Sequence, residues 1–357
     1  MTATAAPRRA VPPNTEYAIE TAGLRKTYRT RKGRQVAVAG MDLKVPVGGV
    51  HGFLGPNGSG KTTTIRMLLG LIRADSGEMR VFGQTVPDAL PEVIDRIGAI
   101  VEQPKFFPAF SGRKNLELLA QGIGAPRARV AQVLDDVGLG DRGKDRFRTY
   151  SLGMKQRLAI AGTLLKDPDL LIFDEPTNGL DPAGIHEIRA TMRGLADRGK
   201  TVLVSSHILT EVSQVADTVS IIGRGRLLTE GNVEAILASS QGEAVRVGVA
   251  DAQRASHVLG AAGFTAVVAG YERLTVTLRD SDAELDPARI TQALAEHRLY
   301  VHELTPIKAD LESVFLQLTA EEHLGVTQHD AAAGPPPPPT PTPARHTPRG
   351  SQSGVNP

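Results

Sequence analysis

The sequence predicts an α/β protein with a parallel sheet at its core, followed by a smaller α+β domain. Strand-like runs at 50–54, 170–173 and 201–206 alternate with helical patterns, which is typical of a parallel sheet. The run LLIF at 170–173 is apolar on both faces, as expected for a strand at the centre of such a sheet. Residues 243–320 follow the order strand, helix, strand, strand, helix, strand, which is the ferredoxin-like motif.

Two helices of the first domain have recognisable starts. One follows the run at 50–54 and a glycine-rich loop, and its apolar residues recur at helical spacing: Ile65, Leu68, Leu69 and Ile72. The other starts at Pro182, directly after Asp181. Proline is favoured at the first helical position, because the N–H group that it lacks would have no hydrogen-bond partner within the helix there. One face of this second helix carries Ile185, Ile188, Met192 and Leu195.

Composition divides the chain into four segments. Residues 1–15 lack any periodicity and are expected to be disordered. Residues 16–237 form the α/β domain, and residues 243–320 form the ferredoxin-like domain. Residues 321–357 contain the run PPPPPTPTP and are predicted to be a disordered tail, because proline-rich chain cannot bury a core.

The composition also excludes several classes of function. The chain has 357 residues and no cysteine, so disulfides, thiolate zinc sites and cysteine nucleophiles are excluded. Its 41 Lys and Arg are balanced by 39 Asp and Glu, and no nucleic-acid partner is expected. The longest uncharged stretch, 255–271, contains three glycines and is shorter than the ~20 apolar residues of a spanning helix. Any membrane role therefore depends on a partner.

A glycine-rich loop carries the first chemical signal. GPNGSGKT at 55–62 fits the phosphate-loop pattern G-x-x-x-x-G-K-T and stands between a strand and a helix. Backbone N–H groups of such a loop bind phosphate oxygens, and the following helix adds its positive end. Lys61 is expected to reach the β- and γ-phosphates of a nucleotide, and the Thr62 hydroxyl to hold Mg²⁺. The predicted contact residues are Gly55, Pro56, Asn57, Gly58, Ser59, Gly60, Lys61, Thr62 and Thr63.

Two adjacent carboxylates end the strand in DLLIFDEP, residues 169–176. Asp174 is predicted to hold Mg²⁺, and Glu175 to orient and deprotonate an attacking water. Taken alone, an acidic pair also fits a helix start, where carboxylates stabilise the helix dipole. Behind a phosphate loop, the pair indicates phosphoryl transfer.

The segment YSLGMKQRL, residues 150–158, opens a helix with a serine and a glycine. A helix start that exposes Ser151 and the bare backbone of Gly153 can bind an anion. The alternative interpretation is an ordinary N-cap at Ser151.

The order and spacing of these motifs resemble the ATP-binding cassette (ABC) family. The set comprises GPNGSGKT, Gln103 in IVEQP, YSLGMKQ, LLIFDEP, NGLD at 178–181 and His207 in SSH, and it covers about residues 17–237. The resemblance implies a P-loop NTPase cassette with an antiparallel β subdomain and a helical subdomain at about 105–166. It also implies an ATP hydrolase that uses Mg²⁺.

The same resemblance implies a head-to-tail homodimer that holds two ATP molecules between its subunits. In such a dimer, Ser151 and Gly153 contact the γ-phosphate that is held by Lys61 of the partner subunit. Glu175 acts as the general base, and His207 bonds the γ-phosphate and links it to the attacking water. Taken alone, His207 also fits a strand-end histidine with local hydrogen bonds.

Three further positions take roles from the resemblance. Gln103 is expected to reach Mg²⁺ and report its state to the transport partner, Asp181 to cross the dimer interface, and Tyr28 to stack on adenine. Two of these residues also have a purely structural interpretation. Asp181 can cap its helix, and Tyr28 can be an aromatic residue that packs within its sheet. His51 lies within the strand before the phosphate loop and is expected to be structural.

The signature segment departs from the usual family pattern LSGGQ. Here the stretch reads YSLGM, so Ser151 and Gly153 remain, while Leu152 replaces the first glycine and Met154 replaces the glutamine. The form SLGMKQRL resembles the branch of bacterial exporters for daunorubicin, bacitracin and lantibiotics, where a small C-terminal domain is common. The resemblance implies a cytoplasmic subunit, peripheral on the inner face of the plasma membrane, that drives efflux through a separate membrane permease.

Three phenylalanines lie close together in KFFPAF, directly after Gln103, although only 4% of the chain is aromatic. In the family, the neighbouring surface receives a short helix of the membrane subunit. We hypothesise that at least one of Phe106, Phe107 and Phe110 lines that groove. The alternative is that they belong to the core of the helical subdomain.

Two other functions are considered. One is a soluble ABC ATPase that acts on ribosomes or DNA. Ribosome-acting relatives usually carry two cassettes, and DNA-repair relatives insert a long coiled coil, for which the ~50 residues between Gln103 and Tyr150 leave no room. The other is a P-loop kinase, which has no use for the signature segment.

Overall fold

The structure is a computed structural model that describes residues 16–31, 33–102, 105–239, 244–278, 286–307, 311–316 and 318–319. The predicted terminal segments 1–15 and 321–357 lie outside these residues, as does Gln103. Within the described ranges, no helix combines the length and the apolar character that crossing a membrane requires.

The described residues include fifteen strands, ten α-helices, three turns of 3-10 helix and a further helical segment at 311–316. The strands are β1 (Tyr17–Thr30), β2 (Gly33–Met41), β3 (Lys44–Pro46), β4 (Gly49–Leu54), β5 (Ser76–Val81), β6 (Gln84–Val86), β7 (Ile97–Ile100), β8 (Leu170–Asp174), β9 (Thr201–Ser206), β10 (Thr218–Gly223), β11 (Arg226–Asn232), β12 (Ala244–Val249), β13 (Phe264–Gly270), β14 (Arg273–Leu278) and β15 (Val301–Ile307). The helices are α1 (Lys61–Leu68), α2 (Leu90–Val93), α3 (Gly112–Gly122), α4 (Arg129–Asp136), α5 (Leu152–Thr163), α6 (Pro182–Asp197), α7 (Leu209–Val212), α8 (Val233–Ser239), α9 (Ala252–Ala261) and α10 (Pro287–Glu296). The 3-10 turns are Ile94–Arg96, Phe147–Thr149 and Leu164–Lys166.

A six-stranded sheet lies at the centre of the α/β domain, in the order β11-β10-β4-β9-β8-β7. Its strands are parallel except for β11, which pairs antiparallel with β10. Strand β8 is buried along LLIF, as predicted for a strand covered on both faces. Its last residue, Asp174, pairs with Ser205 of β9, and Leu54 of β4 pairs with Ser206. The carboxyl ends of these three strands therefore meet at one edge of the sheet.

A second sheet is antiparallel and has the order β2-β1-β5-β6, with β3 also paired to β1. One hydrophobic cluster joins this sheet to α1 and to the central sheet. Its members include Ile19, Met41, Phe53, Ile65 and Leu203. Full burial of each such side chain contributes about 1.5–3 kcal/mol relative to exposure. This sheet is the antiparallel β subdomain that the resemblance implies.

Strand β2 contains a bulge, because its register with β1 skips Ala37. Just beyond the bulge, the amide of Ala39 donates to the carbonyl oxygen of Gly225 at 2.8 Å. Gly225, in the turn between β10 and β11, donates its own amide to the carbonyl oxygen of Ser59 at 2.9 Å. The bulged strand is thus tied, through this turn, to the loop that follows β4.

The segment between β7 and β8 is helical and consists mainly of α3, α4 and α5. These three helices bury one another's apolar faces, and their buried residues include Leu116, Val133, Leu134 and Leu158. Helix α3 begins at Ser111, whose hydroxyl accepts the amide hydrogen of Lys114 at 3.1 Å. This is the helical subdomain that carries YSLGMKQ.

A third sheet, of four strands, lies in the C-terminal part of the described chain. Its order is β13-β14-β12-β15, and every neighbouring pair is antiparallel. Helices α9 and α10 pack on this sheet through Ala255, Leu259, Ile290 and Leu294. The predicted order of strands and helices is confirmed, and the arrangement is ferredoxin-like.

His51 lies on β4 and is fully enclosed. Its Nδ1 is 2.8 Å from Thr218 Oγ1, and its Nε2 is 2.9 Å from Ser220 Oγ. Ser220 donates its hydroxyl hydrogen to Glu230 at 2.8 Å, so its oxygen accepts from Nε2–H and the neutral imidazole fits the site. Burial lowers the pKa of His51 to about 3. These contacts agree with the expected structural role.

Acid is expected to destabilise the protein through His51. Below its ordinary pKa of 6.5 the unfolded chain binds a proton that the folded chain does not bind, so stability falls as the pH falls toward 3. Between pH 7 and pH 5 this loss is about 2 kcal/mol in the free energy of unfolding. Urea unfolding at both pH values should show a smaller loss for His51→Gln than for the unaltered chain. Equal losses in the two chains would contradict this role.

Candidate active site

The loop after β4 turns sharply before α1 begins at Lys61. Gly60, the residue before the helix, has a φ of 108°, in the left-handed region. A Cβ at this position would lie 2.5 Å from the carbonyl oxygen of Ala37 on the β2 bulge, so glycine is required. The loop therefore lies directly against the antiparallel sheet, at the carboxyl edge of the central sheet where parallel sheets bind ligands.

The ammonium group of Lys61 is surrounded by oxygen atoms. Lys61 is only 5% exposed, and its Nζ donates to the carbonyl oxygens of Gly55 at 2.7 Å and Pro56 at 3.3 Å. The same Nζ lies 3.2 Å from Glu175 Oε1. This ion pair joins the phosphate loop to the second carboxylate of DLLIFDEP.

The residues of the loop fit the phosphates of a nucleotide. The exposed residues are Pro56, Asn57 and Gly58, the buried ones are Gly55, Ser59 and Gly60, and Thr62 and Thr63 are half-buried. The Ser59 hydroxyl is buried and has no hydrogen-bond partner among the residues that the structure describes. Because an unpartnered buried polar group costs about 1–3 kcal/mol, a phosphate oxygen that accepts from Ser59 would remove this penalty.

Glu175 is held from two sides. Its Oε1 pairs with Lys61, and its Oε2 lies 2.7 Å from Nδ1 of His207. The backbone of Glu175 has a φ of 50°, a left-handed conformation that costs a residue with a Cβ about 1–2 kcal/mol. The structure thus brings the three residues predicted to be catalytic into direct contact, and their chemical roles stay predictions.

Ser205 contacts the carboxylate of Asp174 and the backbone amide of Glu175, and it was not among the predicted site residues. Its hydroxyl donates to Asp174 Oδ1 and accepts the amide hydrogen of Glu175 at 3.0 Å. Ser205 itself is fully buried. The available signal was a hydroxyl inside the buried run TVLVSS, because a buried polar group needs hydrogen-bond partners.

A cleft of about 430 Å³ lies beside the carboxylates. Residues that line it include Thr62, Glu102, Leu152, Gln156, Asp174 and Glu175. The cleft thus joins the start of α1 to the start of α5 within one chain. The hydroxyl of Thr62 and the carboxylate of Asp174 are the hard oxygen donors that Mg²⁺ prefers, so these residues fit the predicted ion. The third predicted ligand, Gln103, lies outside the described residues.

Three of the predicted residues make local contacts at helix starts. The Ser151 hydroxyl accepts the amide hydrogen of Met154 at 3.2 Å, and Asp181 accepts that of Gly184 at 3.2 Å. Gly153 lies against Gly184, since an added Cβ would be 3.6 Å from the Gly184 Cα. Both capping interpretations therefore hold. The roles of these residues toward a second subunit stay predictions.

Tyr28 lies on β1 opposite Gln35 of β2, and 38% of its surface is exposed. The Nζ of Lys26 is 5.7 Å from the centre of the ring and forms an ion pair with Asp75 at 3.0 Å. The ring is therefore not part of a closed core. Stacking of adenine on Tyr28 is compatible with this exposure and stays a prediction.

Comparison with known proteins places this arrangement in a family. The ABC transporter profile matches residues 38–178. The daunorubicin/doxorubicin resistance ATP-binding protein DrrA of Streptomyces peucetius is 39% identical over 319 residues, 85% of this chain and 92% of that protein. The bacitracin transport ATP-binding protein BcrA of Bacillus licheniformis is 48% identical over 214 residues, 59% of this chain and 69% of that protein.

A solved structure gives the same result. The structure of cbiO1 from Clostridium perfringens, part of the ABC transporter complex cbiONQ, has a TM-score of 0.56 at 28% identity. The match covers 62% of this chain and 91% of that one. The similarity to DrrA and BcrA confirms the branch that SLGMKQRL indicated. This chain belongs to the ATP-binding proteins of ABC transporters, and it is an ATP hydrolase of that family.

Proposed function

We propose that this chain is the ATP-hydrolysing subunit of a bacterial exporter that moves a drug, an antibiotic or a peptide through a separate membrane permease. The observation that carries this proposal is the similarity to DrrA, which spans 85% of the chain and extends beyond the cassette. The chain works in the cytoplasm, peripheral on the inner face of the plasma membrane, because its permease supplies the membrane-spanning segments.

ATP binding activates the site through an exchange of partners at Lys61. Its ammonium group is paired with Glu175 at 3.2 Å in the described structure. A triphosphate carries more negative charge than one carboxylate and competes for the ammonium group. Once Lys61 binds phosphate, Oε1 of Glu175 is free to accept a proton. Substrate binding and activation of the base are thus one event.

Glu175 then acts as the general base and His207 as the residue that orients it. The contact of 2.7 Å between His207 Nδ1 and Glu175 Oε2 fixes the direction of the carboxylate. Thr62 and Asp174 would hold Mg²⁺, which would neutralise charge on the phosphates. Because positioning and charge stabilisation dominate phosphoryl transfer, these fixed contacts account for the catalytic part of the site.

The working unit is a head-to-tail homodimer. Helix α5 starts at Ser151 and directs its positive end outward, where it complements a γ-phosphate held by a second copy. Gly153 contributes its backbone amide in the first turn of α5, and Asp181 lies at the start of the neighbouring helix α6. Closure on ATP and reopening after hydrolysis then drive the permease.

Purification from native membranes tests the proposal. The tagged chain is extracted in detergent, and the polypeptides that accompany it are identified by mass spectrometry. We expect one stoichiometric polypeptide with several membrane-spanning segments. Ribosomal proteins or DNA in its place would contradict export and favour a soluble ATPase.

The phenylalanines of KFFPAF divide into two groups, and we propose that the exposed group contacts the permease. Phe106 packs against Phe147 with ring centres 5.3 Å apart. Phe107 and Phe110 contact each other at 5.4 Å and remain 60% and 40% exposed. Exposed aromatic pairs of this kind are typical centres of protein interfaces.

Phe107→Ala is expected to reduce recovery of the permease in the same purification several-fold, without lowering the melting temperature. Phe106→Ala serves as the matched control, because its ring packs inside the subdomain and its loss should lower the melting temperature. Lower stability with unchanged permease recovery in Phe107→Ala would place Phe107 in the core and contradict the docking role.

A further inference from the structure

Ser205 occupies an unusual position for a hydroxyl group. It lies near the carboxyl end of β9, pairs in register with Asp174 of β8, and is fully buried. The strand on its other side is β4, which leads into the phosphate loop. Ser205 is therefore enclosed between the two strands that carry the chemistry of the site.

One hydroxyl serves two neighbouring functional residues. Ser205 Oγ–H donates to Asp174 Oδ1, while the Ser205 oxygen accepts the amide hydrogen of Glu175 at 3.0 Å. The same amide also lies 3.2 Å from the carbonyl oxygen of Ser205. The side chain of the first carboxylate and the main chain of the second are thus tied to a single buried atom.

We propose that Ser205 is the positioning residue of this site, orienting Asp174 toward Mg²⁺ and holding the Glu175 backbone in the left-handed conformation. The proposal rests on the roles given above to Asp174 and Glu175. With Oδ1 engaged by Ser205, the other oxygen of Asp174 stays available for the ion. With its amide engaged, Glu175 keeps the backbone angle that places its carboxylate between Lys61 and His207.

Among the described residues, the Ser205 hydroxyl has no hydrogen-bond partner besides Asp174 and Glu175. The adjacent Ser206 instead accepts from the Ile208 amide at 3.0 Å in the turn after His207. Valine is similar in shape to serine, with one additional methyl group, and is more favourable than serine in a buried strand. The hydroxyl is thus explained by the Asp174 carboxylate and the Glu175 amide.

The test compares two Ser205 variants with a matched control. Ser205→Ala removes the hydroxyl, and Ser205→Cys keeps most of the shape but forms weaker hydrogen bonds. Ser220→Ala is the control, because Ser220 is equally buried in the same sheet and joins His51 to Glu230. Binding of a fluorescent ATP analogue is measured with EDTA and with Mg²⁺, and ATP turnover is measured alongside.

We expect Ser205→Ala to lower Mg²⁺-dependent binding and turnover about 10-fold, the range found when partners of metal-binding carboxylates are removed. Binding in EDTA should be unchanged, and Ser205→Cys should show a smaller effect in the same direction. Ser220→Ala should lose stability and keep both binding values. If Ser205→Ala does not fold, Ser205→Cys is compared with Ser220→Ala in its place.

Two results would overturn the inference, and they are distinguishable. If both Ser205 variants behave like Ser220→Ala while Glu175→Gln has lost turnover, Ser205 is only structural and the proposed function stands. If Glu175→Gln keeps full turnover, the assigned base is wrong, and the role of Ser205 falls with it.

Discussion

Replacing Glu175 by glutamine is expected to lower ATP turnover by about 10²–10⁴-fold, the contribution of a general base. The amide keeps the shape of the side chain but cannot accept the proton of the attacking water. It also removes the negative charge that pairs with Lys61 at 3.2 Å. Because Lys61 then has no carboxylate to release, ATP affinity should rise rather than fall.

The measurements are steady-state phosphate release and equilibrium binding of ATP, with size-exclusion chromatography in ATP to detect a trapped dimer. Glu303→Gln is a matched control, since Glu303 on β15 of the ferredoxin-like domain pairs with Arg273 at 3.2 Å. Its turnover should be that of the unaltered chain. Normal turnover in Glu175→Gln would exclude this residue as the base.

Lys61→Ala is expected to change ATP affinity in the opposite direction, by a loss of about 100-fold. A hydrogen bond to a charged group is worth about 1.5–3 kcal/mol, and a 100-fold loss corresponds to about 2.8 kcal/mol, so the loss of one such bond to phosphate accounts for it. The truncation also leaves the carbonyl oxygens of Gly55 and Pro56 without the ammonium group that now bonds them. The melting temperature should therefore fall as well.

Calorimetric titration with ATP measures the affinity, and a thermal melt without nucleotide measures the stability. Lys200→Ala separates the two effects, because Lys200 forms a comparable ion pair with Asp167 at 2.8 Å outside the site. That control should lose stability and keep its affinity for ATP. An unchanged affinity in Lys61→Ala would remove this lysine from the phosphate site.

Much of the fold was predictable because local signals agreed with the final packing. Strand β8 reads as apolar on both faces and is buried on both faces. Helix α6 begins at Pro182 behind an aspartate that does cap it. The ferredoxin-like order was visible because its strands and its two helices differ in the period at which their apolar residues recur. In these segments, no tertiary contact overrides the local preference.

The contacts within the site were less predictable, since they join residues that are remote in the sequence. The residues around Lys61 in the sequence do not indicate that its ammonium group forms an ion pair with Glu175. Those around Ser205 do not indicate that its hydroxyl forms a hydrogen bond with Asp174. Phe106 and Phe107 are chemically identical neighbours, yet one ring packs inward and the other stays exposed. Their difference arises from the packing of Phe106 against Phe147, about 40 residues further along the chain, which periodicity does not encode.

The bulge at Ala37 has an evolutionary consequence. A Cβ on Gly60 would lie 2.5 Å from the Ala37 carbonyl oxygen, and one on Gly225 would lie 2.8 Å from the same atom. The same backbone oxygen therefore excludes a side chain at two positions that are far apart in the sequence. A lineage that acquires a side chain at either position must first reshape strand β2, and this movement would alter the space at the other position. The two glycines and the bulge are therefore expected to be retained together in homologous chains.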